Sequence, residues 1–280
     1  MSAPASGRTS AAAGTSTAAR PPSRTRSRRN AHPGIRKLLG YVGAVAVLLL
    51  GWAALSAAVG SPALPGPVIA IETFIKQWSA IWPEMLISLW RVVVAMTLGT
   101  VLAVPLGLML GRSPRADSVF APLIYITYPI PKVVFLPVLL VLLGLGNSPK
   151  IVLIAIIVFF QVLVTARDAS KAVPEPSVLS VRSLGASRWD VYRHVVVPAA
   201  LPDIFTALRI GTGTAIAVLF LAESIAGSSG IGYYIVDAWG RIDYPAMFAG
   251  IIGMGLLGVV LYEAMDAVEA WATRWRRAGS

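Results

Sequence analysis

Apolar runs broken by short polar segments dominate the chain after residue 37. A helix needs about 20 residues to cross the hydrocarbon core of a bilayer. Spans of that kind are expected at residues 38–58, 85–111, 118–143, 151–166, 204–223 and 246–270. The longest polar interruption covers residues 173–205 and has its own pattern. Pro174 and Pro176 can open a short helix, and Gly185 can end it with a left-handed cap. Ser187 stands three residues before Asp190, the spacing of a capping box that starts a second helix. Pro198 is expected to stop that helix, because it lacks an N–H and its ring meets the preceding turn. Trp189, Tyr192 and Val196 fall on one face, beside Val191 and Val195, so this helix needs a partner to cover it.

The third span is unlike the others. It holds Pro129, Pro131 and Pro137 together with Lys132. Prolines free carbonyls that lipid cannot satisfy, and a lysine at membrane depth costs about 2.5–3.5 kcal/mol on insertion scales. A kinked, charged segment is a candidate lining for a translocation pathway, and Tyr125, Tyr128 and Gln161 can line the same cavity. The alternatives are that Lys132 snorkels or pairs structurally, and that the other three simply pack.

Between the first two spans, residues 68–81 read as an interfacial amphipathic helix with Trp78 and Trp82 as anchors. Gly107 and Gly111 give a GxxxG spacing that permits close helix packing, and spans five and six are rich in glycine and alanine. Arg91 and Glu223 lie at similar depth near the outer ends of their spans and are a candidate ion pair. Residues 228–234 read as an outer loop leading into a short helix.

Composition confirms the class: 56% of the 280 residues are apolar and 13% charged, against about 25% charged in soluble domains. The mean hydropathy is +0.73. There is no cysteine, and His32 and His194 are far apart, so disulfides, thiolate chemistry and a metal site are not expected. The net charge of +11 is not spread evenly. Residues 1–36 form a basic tail, expected to be disordered, with six arginines up to Arg29 and no acid before residue 35. Arg112 and Arg115, then Arg167, Lys171, Arg182, Arg188 and Arg193, then Arg274, Arg276 and Arg277 fall on the tail's side of a six-span chain. The other side carries Lys76, Lys150 and Arg241. The positive-inside rule therefore puts both termini and the loop at about 167–203 in the cytoplasm. The tail is expected to be a solvated topogenic segment, with weak attraction for anionic lipid as the functional alternative; a nucleic-acid arm or a cleavable signal peptide is not expected.

The chemistry that is missing narrows the class further. The sequence has no GxxxxGK[ST], HExxH or GxSxG, so no catalytic residues are assigned. No mid-span carboxylate pair offers the proton or sodium relay of a secondary transporter, which with a channel is the reading from another class.

RSLGAS at residues 182–187, followed by VVVPAALPDIFTALR at 195–209, resembles the EAA loop of permease subunits in binding-protein-dependent ABC importers. LPGP at 64–67, SLWR at 88–91, IPKVVFLP at 130–137, GLGNSPK at 144–150, AES at 222–224 and SGIGYYI at 229–235 resemble the nitrate, sulfonate, taurine and bicarbonate branch. The resemblance implies an all-α polytopic membrane protein of six transmembrane helices with a cytoplasmic coupling helix, the type I ABC importer permease fold, over residues 37–280. It implies a homodimer of permeases, two cytoplasmic ABC ATPases that bind ATP and Mg, and an external solute-binding protein in a bacterial inner membrane. No cofactor is implied in this chain. The coupling loop would comprise Gly185, Ala186, Ser187, Trp189, Tyr192, Val195, Pro198 and Pro202. Where the family often has Glu-Ala-Ala, this chain has Leu179, Ser180 and Val181, so a salt bridge to the ATPase is not expected there. The implied substrate is a small oxyanion, with a neutral or cationic cofactor precursor as the alternative.

Overall fold

The computed structural model describes residues 33–274. Most of the expected basic tail, together with Arg276 and Arg277, lies outside the described residues. The described residues form helices α1 (Pro33–Val59), α2 (Pro67–Lys76), α3 (Trp78–Arg112), α4 (Pro114–Thr127), α5 (Leu136–Leu143) and α6 (Asn147–Lys171). They continue with α7 (Glu175–Ser183), α8 (Arg188–Val191), α9 (Val197–Ala226), α10 (Ile231–Gly240) and α11 (Tyr244–Ala272). The chain divides into two compact units, Met1–Leu48 and Leu49–Ser280, and the packing below lies within the second.

Among the described residues, five helices are long and apolar enough to cross a membrane. The pair Pro114–Thr127 and Lys132–Leu143, bent by 81°, makes a sixth if it counts as one span. The bend falls where Pro129 and Pro131, either side of Ile130, each remove an N–H donor. A single 3₁₀ turn, Lys132–Phe135, restarts the helix.

The centre of the bundle is α3 against α6, with α9 packed against both. A Cβ on Gly99 would stand 2.8 Å from the Ala155 carbonyl, and one on Gly107 2.7 Å from that of Leu163. Gly111 sits closer still to α6, so the expected GxxxG pair belongs to a longer glycine stripe that lets two backbones touch. Val92, Ala95, Ala103, Leu153, Val158 and Val162 are buried along this seam.

Three expectations need correction. The helix expected over residues 68–81 ends at Lys76, and Trp78 and Trp82 belong to α3, where their rings stack at 5.1 Å. The break is Gln77, whose side chain accepts a hydrogen bond from the Tyr234 hydroxyl of α10. Burial raises the Tyr234 phenol's pKa, which keeps it a neutral donor. The fourth span is longer than residues 151–166: it includes Lys150, Arg167 and Lys171, all expected to lie outside it. Pro198 does not stop the helix begun at Ser187. Residues Tyr192–Val196 widen into a π turn, and the Val197 N–H donates to the Tyr192 carbonyl, five residues back. That shift in register admits the proline, and α8 runs on into α9.

Candidate functional site

The polar segment after α6 is built as its pattern predicts at its turn. Gly185 adopts φ +86°. Its N–H donates to the Arg182 carbonyl at 2.9 Å, and Ala186 N–H to the Val181 carbonyl at 3.4 Å. That pair of bonds is a Schellman cap on α7. Ser187 then caps α8: its Oγ accepts from Asp190 N–H, and the Asp190 carboxylate accepts from Ser187 N–H at 3.0 Å. The turn between the two helices is thus fixed by local bonds.

The apolar face of this segment is not the one the helical spacing suggests. Val191 and Val196 are buried, and Tyr192 and Val195 pack against the core. Trp189 is 71% exposed, and beside the turn Leu184 is 87% exposed. Leu179, at the first position of Leu-Ser-Val, is exposed as well. Leu184 and Leu179 are therefore surface residues that helical spacing missed. Pro198 and Pro202 lie in the first two turns of α9.

The four pathway candidates separate. Tyr128 and Gln161 line one cavity of about 480 Å³ between α6 and α9, with Thr165, Asp168, Asp203 and Thr206. Gln161 also bridges the helices, its Nε2 donating to the Ala207 carbonyl at 3.5 Å. Tyr125 turns elsewhere, its ring 5.8 Å from the Arg167 guanidinium. Lys132 donates to the carbonyls of Thr127 and Tyr128 and stands 4.8 Å from the Phe160 ring centre. It caps the C-terminus of α4, where the dipole favours a cation.

In the N-terminal half of α3 lies a buried charged cluster. Arg91 Nη1 is 2.5 Å from Glu223 Oε1, with side-chain exposures of 2% and 0%. Ser88 Oγ reaches both carboxylate oxygens, at 2.8 and 2.9 Å, and Gly232 N–H donates to Oε2 at 2.9 Å. The rest of the guanidinium donates to Asn147 Oδ1 (2.9 Å), Ser229 O (2.8 Å) and Ser229 Oγ (2.7 Å). Gly230 completes the site at φ +104°, and a Cβ there would stand 2.6 Å from Arg91 Nη1. Lys150 is buried nearby in the first turn of α6. The segments SLWR, GLGNSPK, AES and SGIGYYI meet in this one cluster.

The model of the binding-protein-dependent transport system inner membrane component family matches residues 103–274. The chain belongs to that family. The taurine transport system permease protein TauC of Escherichia coli strain K12 is 30% identical to this permease over 87% of the chain and 92% of its own length. The nitrate import permease NrtB of Synechococcus elongatus is 27% identical over 91% of this chain and 96% of its own. The riboflavin transport system permease RibX of Chloroflexus aurantiacus is 29% identical over 85% and 90%. Among solved structures, a chain of the MetNI methionine ABC transporter, inward facing, superposes with a TM-score of 0.58 at 20% identity. It covers 69% of the permease and 96% of that chain, and it supports the fold.

The permease is thus a multi-pass translocation subunit of an ABC importer and not an enzyme. Its family depends on a binding protein, and an ABC importer also needs an ATPase partner. Sequence reasoning paired Arg91 with Glu223 from depth alone. It gave Ser88, Asn147, Ser229 and Gly230 no role of their own, although the segments quoted for the resemblance contain them, because a single hydroxyl, amide or glycine shows no partner until a fold supplies one.

Proposed function

We propose that this permease imports a small oxyanion, of the sulfonate, taurine or nitrate kind, delivered by an external binding protein. Two copies form the pathway and two cytoplasmic ATPases binding ATP and Mg drive it. Both termini and the coupling segment face the cytoplasm. The observation that carries the coupling role is the turn at Gly185: a rigid, locally bonded corner presenting exposed Leu184 and Trp189 on a chain whose sequence has no phosphate-binding loop. Gly185, Ala186 and Ser187 set the corner, and Trp189 with Leu184 and Leu179 forms the ATPase contact. Tyr192, Val195, Pro198 and Pro202 carry its movement into α9. The permeation reading rests on the cavity of Tyr128 and Gln161, which a second copy would close.

The oxyanion reading is supported by TauC and NrtB, whose names specify taurine and nitrate. RibX favours the second reading, a cofactor precursor. Residues 1–36 act as a topogenic tail and residues 37–280 as the transmembrane domain. The deciding experiment is ligand binding by the cognate external protein, followed by ATPase stimulation of the reconstituted complex. Taurine, an alkanesulfonate or nitrate is expected to stimulate. Stimulation by riboflavin with none by the anions would overturn the oxyanion reading and leave the importer class intact.

A further inference from the structure

Two cavities of opposite chemistry meet at the turn between α3 and α4. One, about 880 Å³, is bordered by Arg112, Arg115, Lys171, Arg182 and Arg188. Its acids are Asp117 and Glu175, and both are engaged: Glu175 pairs with Arg112 at 3.2 Å, and Asp117 with Lys171 at 3.4 Å and with Arg167. Arg115, Arg182 and Arg188 have no carboxylate partner among the described residues. The other cavity, about 560 Å³, lies between α3, α4 and α6 and is lined by Leu106, Met109, Phe120, Leu123, Phe159 and Leu163 among others. Leu110 and Ser113 line both. Ser113 also caps α4, so the positive end of that helix dipole stands at the junction.

The level of this junction matters. Arg112 and Lys171 end two membrane-spanning helices there, where headgroups meet hydrocarbon. A free phosphate would satisfy the guanidiniums and leave the apolar chamber unexplained. An apolar helix would fill the chamber and leave the guanidiniums unexplained. One molecule class carries both halves at that spacing. We propose that the double cavity binds an anionic phospholipid, its phosphodiester held by Arg115 and Arg182 and one acyl chain held between α3, α4 and α6. Basic side chains near a headgroup attract anionic lipid, and the chamber removes acyl methylenes from solvent and from gaps in the bundle.

The test uses the full-length permease, purified in detergent with equal palmitoyl-oleoyl phosphatidylglycerol and phosphatidylcholine and weighed by native mass spectrometry. Wild type is expected to retain phosphatidylglycerol in preference. Arg115→Gln with Arg182→Gln is expected to reduce that retention roughly thirtyfold, as loss of two basic contacts to a headgroup implies. Arg115→Lys with Arg182→Lys should keep it. Ala116→Phe, which fills the chamber and leaves the guanidiniums in place, should lower it too. Unchanged retention in the glutamine pair, or displacement of the lipid by soluble glycerol phosphate, would overturn the proposal. So would Ala116→Phe splitting a dimer without loss of lipid, since a second copy would then occupy the chamber.

Discussion

The Arg91 cluster and the Gly185 turn lie at opposite ends of the bundle and solve opposite problems. Arg91 and Arg112 are about 30 Å apart along α3 at the α-helical rise, close to the thickness of the hydrocarbon core. At the Arg91 end, charge is buried and every guanidinium nitrogen has a partner. Four segments distant in sequence depend on one another there. At the Gly185 end, the bonds are local, within residues 181–190, and Leu184 and Trp189 face outward. The first arrangement fixes helices to each other. The second keeps a corner rigid while leaving its surface free for another protein. A transporter that must move as blocks needs both.

Breaking the buried pair should have the largest effect. Glu223→Ala leaves Arg91 desolvated and unpaired, which is expected to cost about 3–5 kcal/mol. A denaturant titration of the purified permease should show a large drop in midpoint. Replacing both residues, Arg91→Met with Glu223→Met, should cost less than either single change, since no lone charge remains. If the double variant loses as much as the two singles summed, the pair is not coupled as the geometry indicates. Gly230→Ala comes next. Its Cβ would collide with the carboxylate and the guanidinium, and its φ of +104° disfavours any side chain. A loss of about 1–3 kcal/mol is expected, read in the same titration.

The loop should respond differently. A Cβ at Gly185 meets nothing within 4 Å, so the only penalty is its φ of +86°, about 1–2 kcal/mol. Gly185→Ala and Gly185→Asp should leave the membrane bundle assembled and uncouple ATP hydrolysis from uptake, measured in the same proteoliposomes. Full transport by both would remove the docking role from this turn. Trp189→Ala with Leu184→Ala should change stability by no more than about 0.5 kcal/mol, as surface substitutions do, yet abolish copurification of the ATPase. Tyr192→Ala should do the reverse, lowering stability with the ATPase retained, because its ring packs inward.

How much of this was readable beforehand follows from the range of each interaction. The Schellman turn and the Ser187–Asp190 capping box are made within a few residues, and the sequence pattern predicts them. The 81° bend follows from Pro129 and Pro131, either side of Ile130. The exposed face of α8 was misjudged because helical spacing shows which residues share a face and not which way that face points. The π turn at Tyr192–Val196 hid behind Pro198, since proline reads as a stop unless a neighbouring register shift admits it. The hydroxyls and glycines around Arg91 had no role of their own in the sequence because their partners are up to 146 residues away.

The smallest effect is expected at Lys132, and it separates the two kinds of region within one residue. As a lone intramembrane cation it suggested contact with a transported anion. In the structure its ammonium is turned back onto the carbonyls of Thr127 and Tyr128 and stands over two aromatic rings, 5.1 Å from Tyr128 and 4.8 Å from Phe160. A cation at a helix C-terminus contributes about 0.3–1 kcal/mol and a half-exposed cation–π contact a similar amount. Lys132→Met keeps the stem's volume and removes the charge. It should lower stability by about 1 kcal/mol and leave the uptake KM unchanged, because the donors it removes face the chain and not the cavity of Tyr128 and Gln161. A raised KM with unchanged stability would mean that the lysine turns to meet the solute, and would move Lys132 from holding the bend to binding the cargo.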